Sequence, residues 1–172
     1  MKHNVIRTVF SLTMFLLSLA AAALAQDTNC PCSNRNMMGV WGTIQTGTVI
    51  LPTSAVPFAN VIHVTYDPAG NLEGTQTRSL NGTISHVTFR GTYIVNTDCT
   101  GTKTVSIYDQ SGNLMQTATL DFVLMNNANE LFEVITSNTL SNGTSIPVVA
   151  TGHSMKLFPN RDNGLCYWTF AQ

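Results

Sequence analysis

The chain has 172 residues, of which 44% are hydrophobic, 10% charged and 8% aromatic, and its formal net charge is −1. Charges so few and so nearly balanced exclude a nucleic-acid-binding protein and a polybasic membrane-surface protein. The length excludes a large enzyme, yet it is sufficient for one domain with an adequate core.

The first 25 residues predict a secretory signal peptide. Lys2 and Arg7 form a basic start, an apolar run follows, and small residues lead to Ala25. This order predicts cleavage before Gln26 and a mature protein that is secreted or periplasmic. The apolar run is too short and too interrupted by Ser and Thr for a membrane anchor. No other stretch approaches the roughly 20 apolar residues that a span requires.

Cleavage would leave 147 residues with a net charge of −3, because two of the eight basic residues belong to the signal. The remaining part holds 22 Thr, 12 Val and 8 Ile, so about 29% of it is β-branched. Such side chains favour strands because they fit a pleated, half-buried surface. We therefore predict a signal peptide at 1–25, a Cys-containing segment at 26–38 and one β-barrel domain at 39–172.

All four cysteines, Cys30, Cys32, Cys99 and Cys166, lie in the mature part. An even number in an exported chain predicts two disulfides. A bridge between Cys30 and Cys32 would close a very tight ring, so we expect each of them to pair with either Cys99 or Cys166. A zinc site is not predicted, because Cys-x-Cys lacks the usual spacing and no close His pair accompanies it. No metal or other cofactor is expected.

Nine extended runs follow one another from residue 40 onward, separated by strong turn signals. Asn-Gly at 81–82 is the most specific of these, since both positions of a tight hairpin turn need a positive φ. Short connections make neighbouring strands antiparallel. The runs are Val40–Ile50, Asn60–Tyr66, Leu72–Leu80, Thr83–Val95, Lys103–Tyr108, Leu114–Met125, Leu131–Ser137, Ile146–Leu157 and Leu165–Phe170.

This pattern predicts an all-β fold, an antiparallel up-and-down meander of eight to nine strands. Such a meander can remove its exposed edges by closing into a barrel, and a β-sandwich is the alternative. An eight-stranded barrel either fills its interior or holds one small ligand.

Two turns share their residue types. Asp67 to Asn71 reads Asp-Pro-Ala-Gly-Asn, and Asp109 to Asn113 reads Asp-Gln-Ser-Gly-Asn. We expect the same turn chemistry in both, with Asp opening the turn and Gly in the left-handed position.

Two segments resemble known proteins. Gly39-Val40-Trp41 resembles the Gly-x-Trp motif that opens lipocalin-type barrels, in which the Trp closes one barrel end under an Arg from late in the chain. The resemblance implies Arg161 for that Arg. The segment Gly91–Thr102 resembles a group of secreted bacterial proteins of unassigned function, which join a Gly-x-Tyr-x-Val strand to an Asp-Cys-Thr-Gly turn. Together these resemblances imply a lipocalin-like barrel and transfer no catalytic residues.

Polar residues on several predicted strands are candidates for a ligand site. Arg78 and Arg90 lie on adjacent strands, and Asp121 and Glu133 lie on a later adjacent pair. If these faces point inward, the barrel has a polar lumen suited to an anionic or mixed-polarity ligand. If they point outward, they are solvated charges that contribute little. The full candidate set is Trp41, His63, Arg78, His86 and Arg90.

No catalytic motif is complete. Gly152-His153-Ser154-Met155-Lys156 lacks the second Gly of a nucleophile elbow, and no helix follows it. The leading hypothesis is therefore non-catalytic binding of a small hydrophobic or amphipathic ligand, with no nucleic-acid partner. One alternative is a barrel isomerase or cyclase resembling allene oxide cyclase, and another is a surface interaction module. A cavity of about 300 Å³ or more would favour binding or catalysis, whereas a filled interior would favour the module. The oligomeric state is not specified.

Overall fold

The structure is a computed structural model that describes residues 31–158. It consists of one short helix followed by eight strands: α1 (Asn34–Met37), β1 (Gly39–Leu51), β2 (Ser54–Tyr66), β3 (Asn71–Leu80), β4 (Thr83–Val95), β5 (Thr100–Tyr108), β6 (Leu114–Met125), β7 (Glu130–Leu140) and β8 (Val148–Lys156).

Each strand pairs antiparallel with the next, and β8 pairs with β1, so the sheet closes into a barrel. The predicted all-β antiparallel meander is confirmed, and the barrel is the form that it takes rather than the sandwich. The signal peptide, Cys30, Arg161, Cys166 and the ninth predicted strand lie outside the described residues.

The start of β2 differs from the prediction. The strand begins at Ser54 rather than at Asn60, and so includes Pro57. Pro57 pairs with Thr48 of β1, whereas β3 pairs with β2 only from Phe58 onward. Proline is tolerated there because a residue with a ladder neighbour on only one side can lack an N–H group.

The turns have the conformations that their residue types predict. Asn81 and Gly82 have φ values of 49° and 83°, as a tight hairpin turn requires. In the two related turns, the carboxylate of Asp67 accepts bonds from the backbone and side-chain nitrogens of Asn71, each at 2.8 Å. Asp109 accepts the same pair of bonds from Asn113 at 2.9 Å.

Because of these turns, the stability of the barrel decreases at acidic pH. Hydrogen bonds from Asn71 hold the pKa of Asp67 below its usual value of 3.8, and those from Asn113 do the same for Asp109. A lowered pKa in the folded state means that the stabilisation is complete above about pH 4. This stabilisation is lost as the pH falls through the pKa values of the folded state.

We expect the melting temperature to fall between about pH 4 and pH 2. The double variant D67N/D109N should show a shallower fall, and an unchanged slope would contradict this account.

One end of the barrel, the closed end, is covered by α1 and the residues around it. Met37 and Trp41 are fully buried there. The indole Nε1 of Trp41 donates to the backbone oxygen of Met37 at 2.8 Å, and the ammonium of Lys156 lies 5.2 Å from the ring centre. The role that the lipocalin resemblance implies for Arg161 stays a prediction, because Arg161 lies outside the described residues.

The N-terminal segment is fastened across the closed end by covalent and polar contacts. A disulfide joins Cys32 to Cys99, 67 residues apart, which is one of the pairings expected from the sequence. The side-chain oxygen of Asn34 accepts the Val95 N–H at 2.8 Å, and the Tyr93 hydroxyl donates to the Asn34 backbone oxygen at 3.1 Å. These contacts hold the segment against β4 and the turn after it.

We expect the double variant C32S/C99S to lose about 4 kcal/mol of unfolding free energy, the chain-entropy value for a loop of this length. Urea unfolding of the variant and the wild type measures this difference. Thiol titration of the denatured, unreduced wild type should find no free Cys if Cys30 and Cys166 form the second bridge. Four free thiols would contradict both bridges.

Candidate functional site

The interior of the barrel contains a cavity whose wall is mostly aliphatic and aromatic. Alternation along each strand directs every second side chain inward, and the eight strands contribute Ile62, Phe89 and Ile107 among others. Polar side chains interrupt this wall on six strands: Thr43, Gln45, Asn60, Gln76, Arg78, Lys103, Gln116, Glu133 and Asn138.

The cavity volume is about 80 Å³, which accommodates roughly five to eight groups of the size of a water molecule. The interior is therefore not filled, but its volume is well below the roughly 300 Å³ of a pocket for a drug-sized molecule. It is about half the roughly 150 Å³ of an engineered apolar cavity that binds benzene, so the space admits a short chain or part of a ring. The cavity lies toward the open end of the barrel, formed by the hairpins at 51–54, 80–83, 108–114 and 140–148.

A buried ion pair crosses the cavity. The Lys103 ammonium lies 2.5 Å from Glu133 Oε2 and donates to the Tyr66 hydroxyl at 2.9 Å. Burial alone would lower the pKa of Lys103, but the Glu133 carboxylate and Tyr66 raise it above its ordinary value. Burial raises the pKa of Tyr66 as well. At neutral pH the site thus holds a lysine cation and a neutral phenol.

The position of the Glu133 carboxylate depends on a glycine in the neighbouring strand. Gly152 of β8 lies directly opposite Glu133 of β7, and a Cβ at 152 would lie 2.7 Å from Glu133 Oε1. A contact so short is not tolerated, so any larger residue would displace the carboxylate. The absence of a side chain at 152 allows the ion pair to form.

The ion pair continues as a chain of hydrogen bonds that we call the polar relay: Tyr66, Lys103, Glu133, Gln45 and Asn60. Gln45 Nε2 donates to Glu133 Oε1 at 3.4 Å, and Asn60 Nδ2 donates to Gln45 Oε1 at 2.8 Å. A carboxylate can only accept, so Glu133 fixes the orientation of the Gln45 amide, and Gln45 fixes that of Asn60. The relay consequently ends with Asn60 Oδ1 facing away from it.

Three buried polar atoms near the open end have no hydrogen-bond partner among residues 31–158. They are Asn60 Oδ1, Asn138 Oδ1 and Arg78 Nε. Asn60 and Arg78 are directly opposite each other on β2 and β3, and both line the cavity. Buried polar atoms normally have partners, so these atoms form a place where a bound molecule would gain hydrogen bonds.

The five ligand-site candidates from the sequence lie in three different places. Arg78 lines the cavity, whereas Trp41 is part of the closed end and does not line it. The side chains of His63, His86 and Arg90 are exposed on the outer face. Alternation explains this, because their inward neighbours are apolar. Only Arg78 of this set therefore contacts the lumen.

The outward candidates make local contacts of their own. Arg90 Nε donates to the Tyr108 hydroxyl at 3.2 Å, and its guanidinium lies 4.9 Å from that ring. His86 Nδ1 lies 3.2 Å from Thr77 Oγ1. Of the two acids considered with the arginines, Glu133 points inward and Asp121 points outward, where it accepts a bond from Thr102.

Sequence reasoning missed most of the polar relay. Lys103 shares a strand face with Val105 and Ile107, and this alternation was a sufficient signal to place it inward. Lys103 was nevertheless not predicted to point inward, because a lysine is usually expected to reach solvent even on an otherwise apolar face. The amides Gln45 and Asn60 carried no motif at all.

In residues 31–158, no three metal-binding side chains come together. No helix in the same part of the chain is long and apolar enough to cross a bilayer.

No known protein family matches the sequence, and neither does any curated protein. Among solved structures, the chain is similar to a redesigned β-barrel, mFAP1, determined bound to DFHBI. The two share 14% sequence identity, the match covers 72% of this chain and 97% of that chain, and the TM-score is 0.46.

The buried ion pair yields a test of the site's energetics. We expect E133Q and K103M each to lower the unfolding free energy by about 3–5 kcal/mol, because each leaves one buried charge without its partner. The double variant K103M/E133Q should lose less than the sum of the two. Denaturant unfolding measures all three.

The matched control is E130Q on the same strand. The Glu130 carboxylate points outward, 3.5 Å from His153, so its loss should change the unfolding free energy by about 0.5 kcal/mol or less. Additive effects of K103M and E133Q would contradict the coupling between them.

Proposed function

We propose that the barrel binds a small amphipathic ligand in its lumen and does not transform it chemically. The observation that carries this proposal is the group of unpartnered buried polar atoms set in an apolar wall beside an open cavity. Few well-placed polar groups in an otherwise apolar concave surface are typical of ligand sites. The barrel provides the cavity, and the polar atoms provide groups with which a ligand could form hydrogen bonds.

The volume limits the part of the ligand that enters. A cavity of about 80 Å³ admits a short aliphatic chain or part of a ring, since an engineered cavity that holds benzene measures roughly 150 Å³. A larger molecule would leave its remainder at the open end, between the hairpins. The proposal therefore concerns ligands whose inserted portion is no larger than a phenyl ring.

The charge states support binding rather than catalysis. A general base near neutral pH must be unprotonated and close to the proton that it removes. The raised pKa values keep Lys103 as an ammonium and Tyr66 as a phenol, so neither is a base. Glu133 is occupied by Lys103 and Gln45. Lys103, Tyr66 and Glu133 instead hold the side chains of the polar relay in position.

We also propose that the mature protein begins near Gln26 and acts outside the cytoplasm. The disulfide between Cys32 and Cys99 supports this, because such bonds persist in oxidising compartments. N-terminal sequencing of the exported protein tests the proposal. A mature N-terminus at residue 1 would contradict it.

The lumen proposal is tested by blocking the open end. Val148 lines the cavity near its opening, and its neighbour Val149 is 71% exposed on the outer face. We expect 2-phenylethanol to shift the methyl signals of Val105 and Leu120 in NMR titrations. The Kd should be on the order of a millimolar or below for about ten heavy atoms. V148W should weaken this binding at least tenfold.

V149W is the matched control and should bind as the wild type does. Native mass spectrometry of the protein purified from its own host gives an independent measurement, in which a bound small molecule appears as an added mass. Shifts confined to outer-face residues, or equal weakening by V148W and V149W, would contradict binding in the lumen.

A further inference from the structure

We propose that the ligand carries a carboxylate that pairs with Arg78, next to a hydroxyl or N–H group that donates to Asn60 Oδ1. This inference rests on the proposed function, because it assigns the chemistry of the molecule that the lumen binds. It is carried by the charge balance of the cavity, the position of Arg78 and the orientation of Asn60.

The charge balance of the cavity is positive. Three charged side chains line it, Lys103, Glu133 and Arg78. Lys103 and Glu133 neutralise each other at 2.5 Å. The other carboxylates of the described residues lie in turns or on the outer face. Within residues 31–158, Arg78 therefore has no carboxylate partner, and an anionic ligand would neutralise it.

Arg78 is suited to a carboxylate by its shape and its surroundings. The guanidinium is a planar fork that binds a carboxylate through two parallel hydrogen bonds. Its side chain is half-buried, and within the described chain its Nε has no partner. Partial removal from water strengthens the attraction between opposite charges. A carboxylate at this position would be held more strongly than one on the barrel surface.

Asn60 adds a second requirement. The polar relay leaves Asn60 Oδ1 as an acceptor with no partner in the described residues, and Arg78 lies directly opposite on the neighbouring strand. Side chains in such a pair begin roughly 5 Å apart, so one polar headgroup can contact both. The best match is a carboxylate with an O–H or N–H donor on the adjacent carbon, attached to an apolar group of about the size of a ring.

Four probes with the same phenyl tail separate these requirements. Phenylacetate carries the carboxylate, mandelate adds a hydroxyl on the adjacent carbon, 2-phenylethanol is neutral, and 2-phenylethylamine is a cation. We expect phenylacetate to bind the wild type at least tenfold more tightly than 2-phenylethanol. Mandelate should bind a further threefold to tenfold more tightly, and the amine most weakly. Affinities come from NMR titration of the lumen methyl signals.

Matched variants assign the effects to residues. R78Q should reduce the affinity for phenylacetate much more than the affinity for 2-phenylethanol, so that the tenfold difference between these two probes disappears. R90Q, which removes an outward arginine on the adjacent strand, should change neither. N60L should abolish the advantage of mandelate over phenylacetate while retaining the effect of Arg78. The comparison of probes on the wild type does not depend on whether any variant folds.

The outcomes distinguish this inference from the proposed function. If 2-phenylethanol binds in the lumen as tightly as phenylacetate, the carboxylate assignment is overturned and lumen binding stands. If the amine binds most tightly, the sign of the charge is wrong. If mandelate and phenylacetate bind equally, the role of Asn60 is overturned. If no probe shifts the lumen signals, both the inference and the proposed function fail.

Discussion

The arrangement of the barrel interior depends on the ion pair between Lys103 and Glu133. Two charges in a largely apolar interior are tolerated only if each neutralises the other and their remaining hydrogen-bonding positions are used. Tyr66 and Gln45 each use one of those positions, and Gln45 then fixes Asn60. One buried carboxylate thereby determines which atom of Asn60, two side chains away, is left without a partner in the described residues.

The two ends of the barrel differ in their packing and in the polar side chains that they contain. At the closed end, Met37 and Trp41 fill the space completely, and the polar groups of the covering segment find partners in β4 and its turn. Toward the open end, Arg78 Nε and Asn60 Oδ1 have no partner in the described part of the chain. Since both ends belong to the same closed sheet, this difference comes from the side chains and not from the fold.

The sequence was sufficient to predict the strands and their order because turn residues and period-two alternation are local signals. Asn81-Gly82 marks a hairpin wherever it occurs between extended runs, whereas the extension of β2 through Pro57 depends on where the neighbouring strand ends. Period-two alternation also places His86 and Arg90 on the face opposite to Val87 and Phe89, and in the structure the first two are exposed and the last two buried. The relay was not predictable in this way, because contacts such as the one between Gln45 and Glu133 join residues 88 positions apart. Only the closed register of the barrel brings them together.

The distribution of polarity across the wall favours a functional interior over a merely stable one. Ile44 and Val61 are 65% and 66% exposed on the outer face, while their chain neighbours Gln45 and Asn60 are buried inside. Stability alone favours the reverse, because burying aliphatic side chains contributes about 1.5–3 kcal/mol each, whereas burying amides requires every hydrogen bond to be made. Asn60 does not make all of its bonds within the described protein. A bound ligand that donates to Asn60 Oδ1 would remove that deficit, so the lumen is the part of this barrel whose side chains are explained by an occupant.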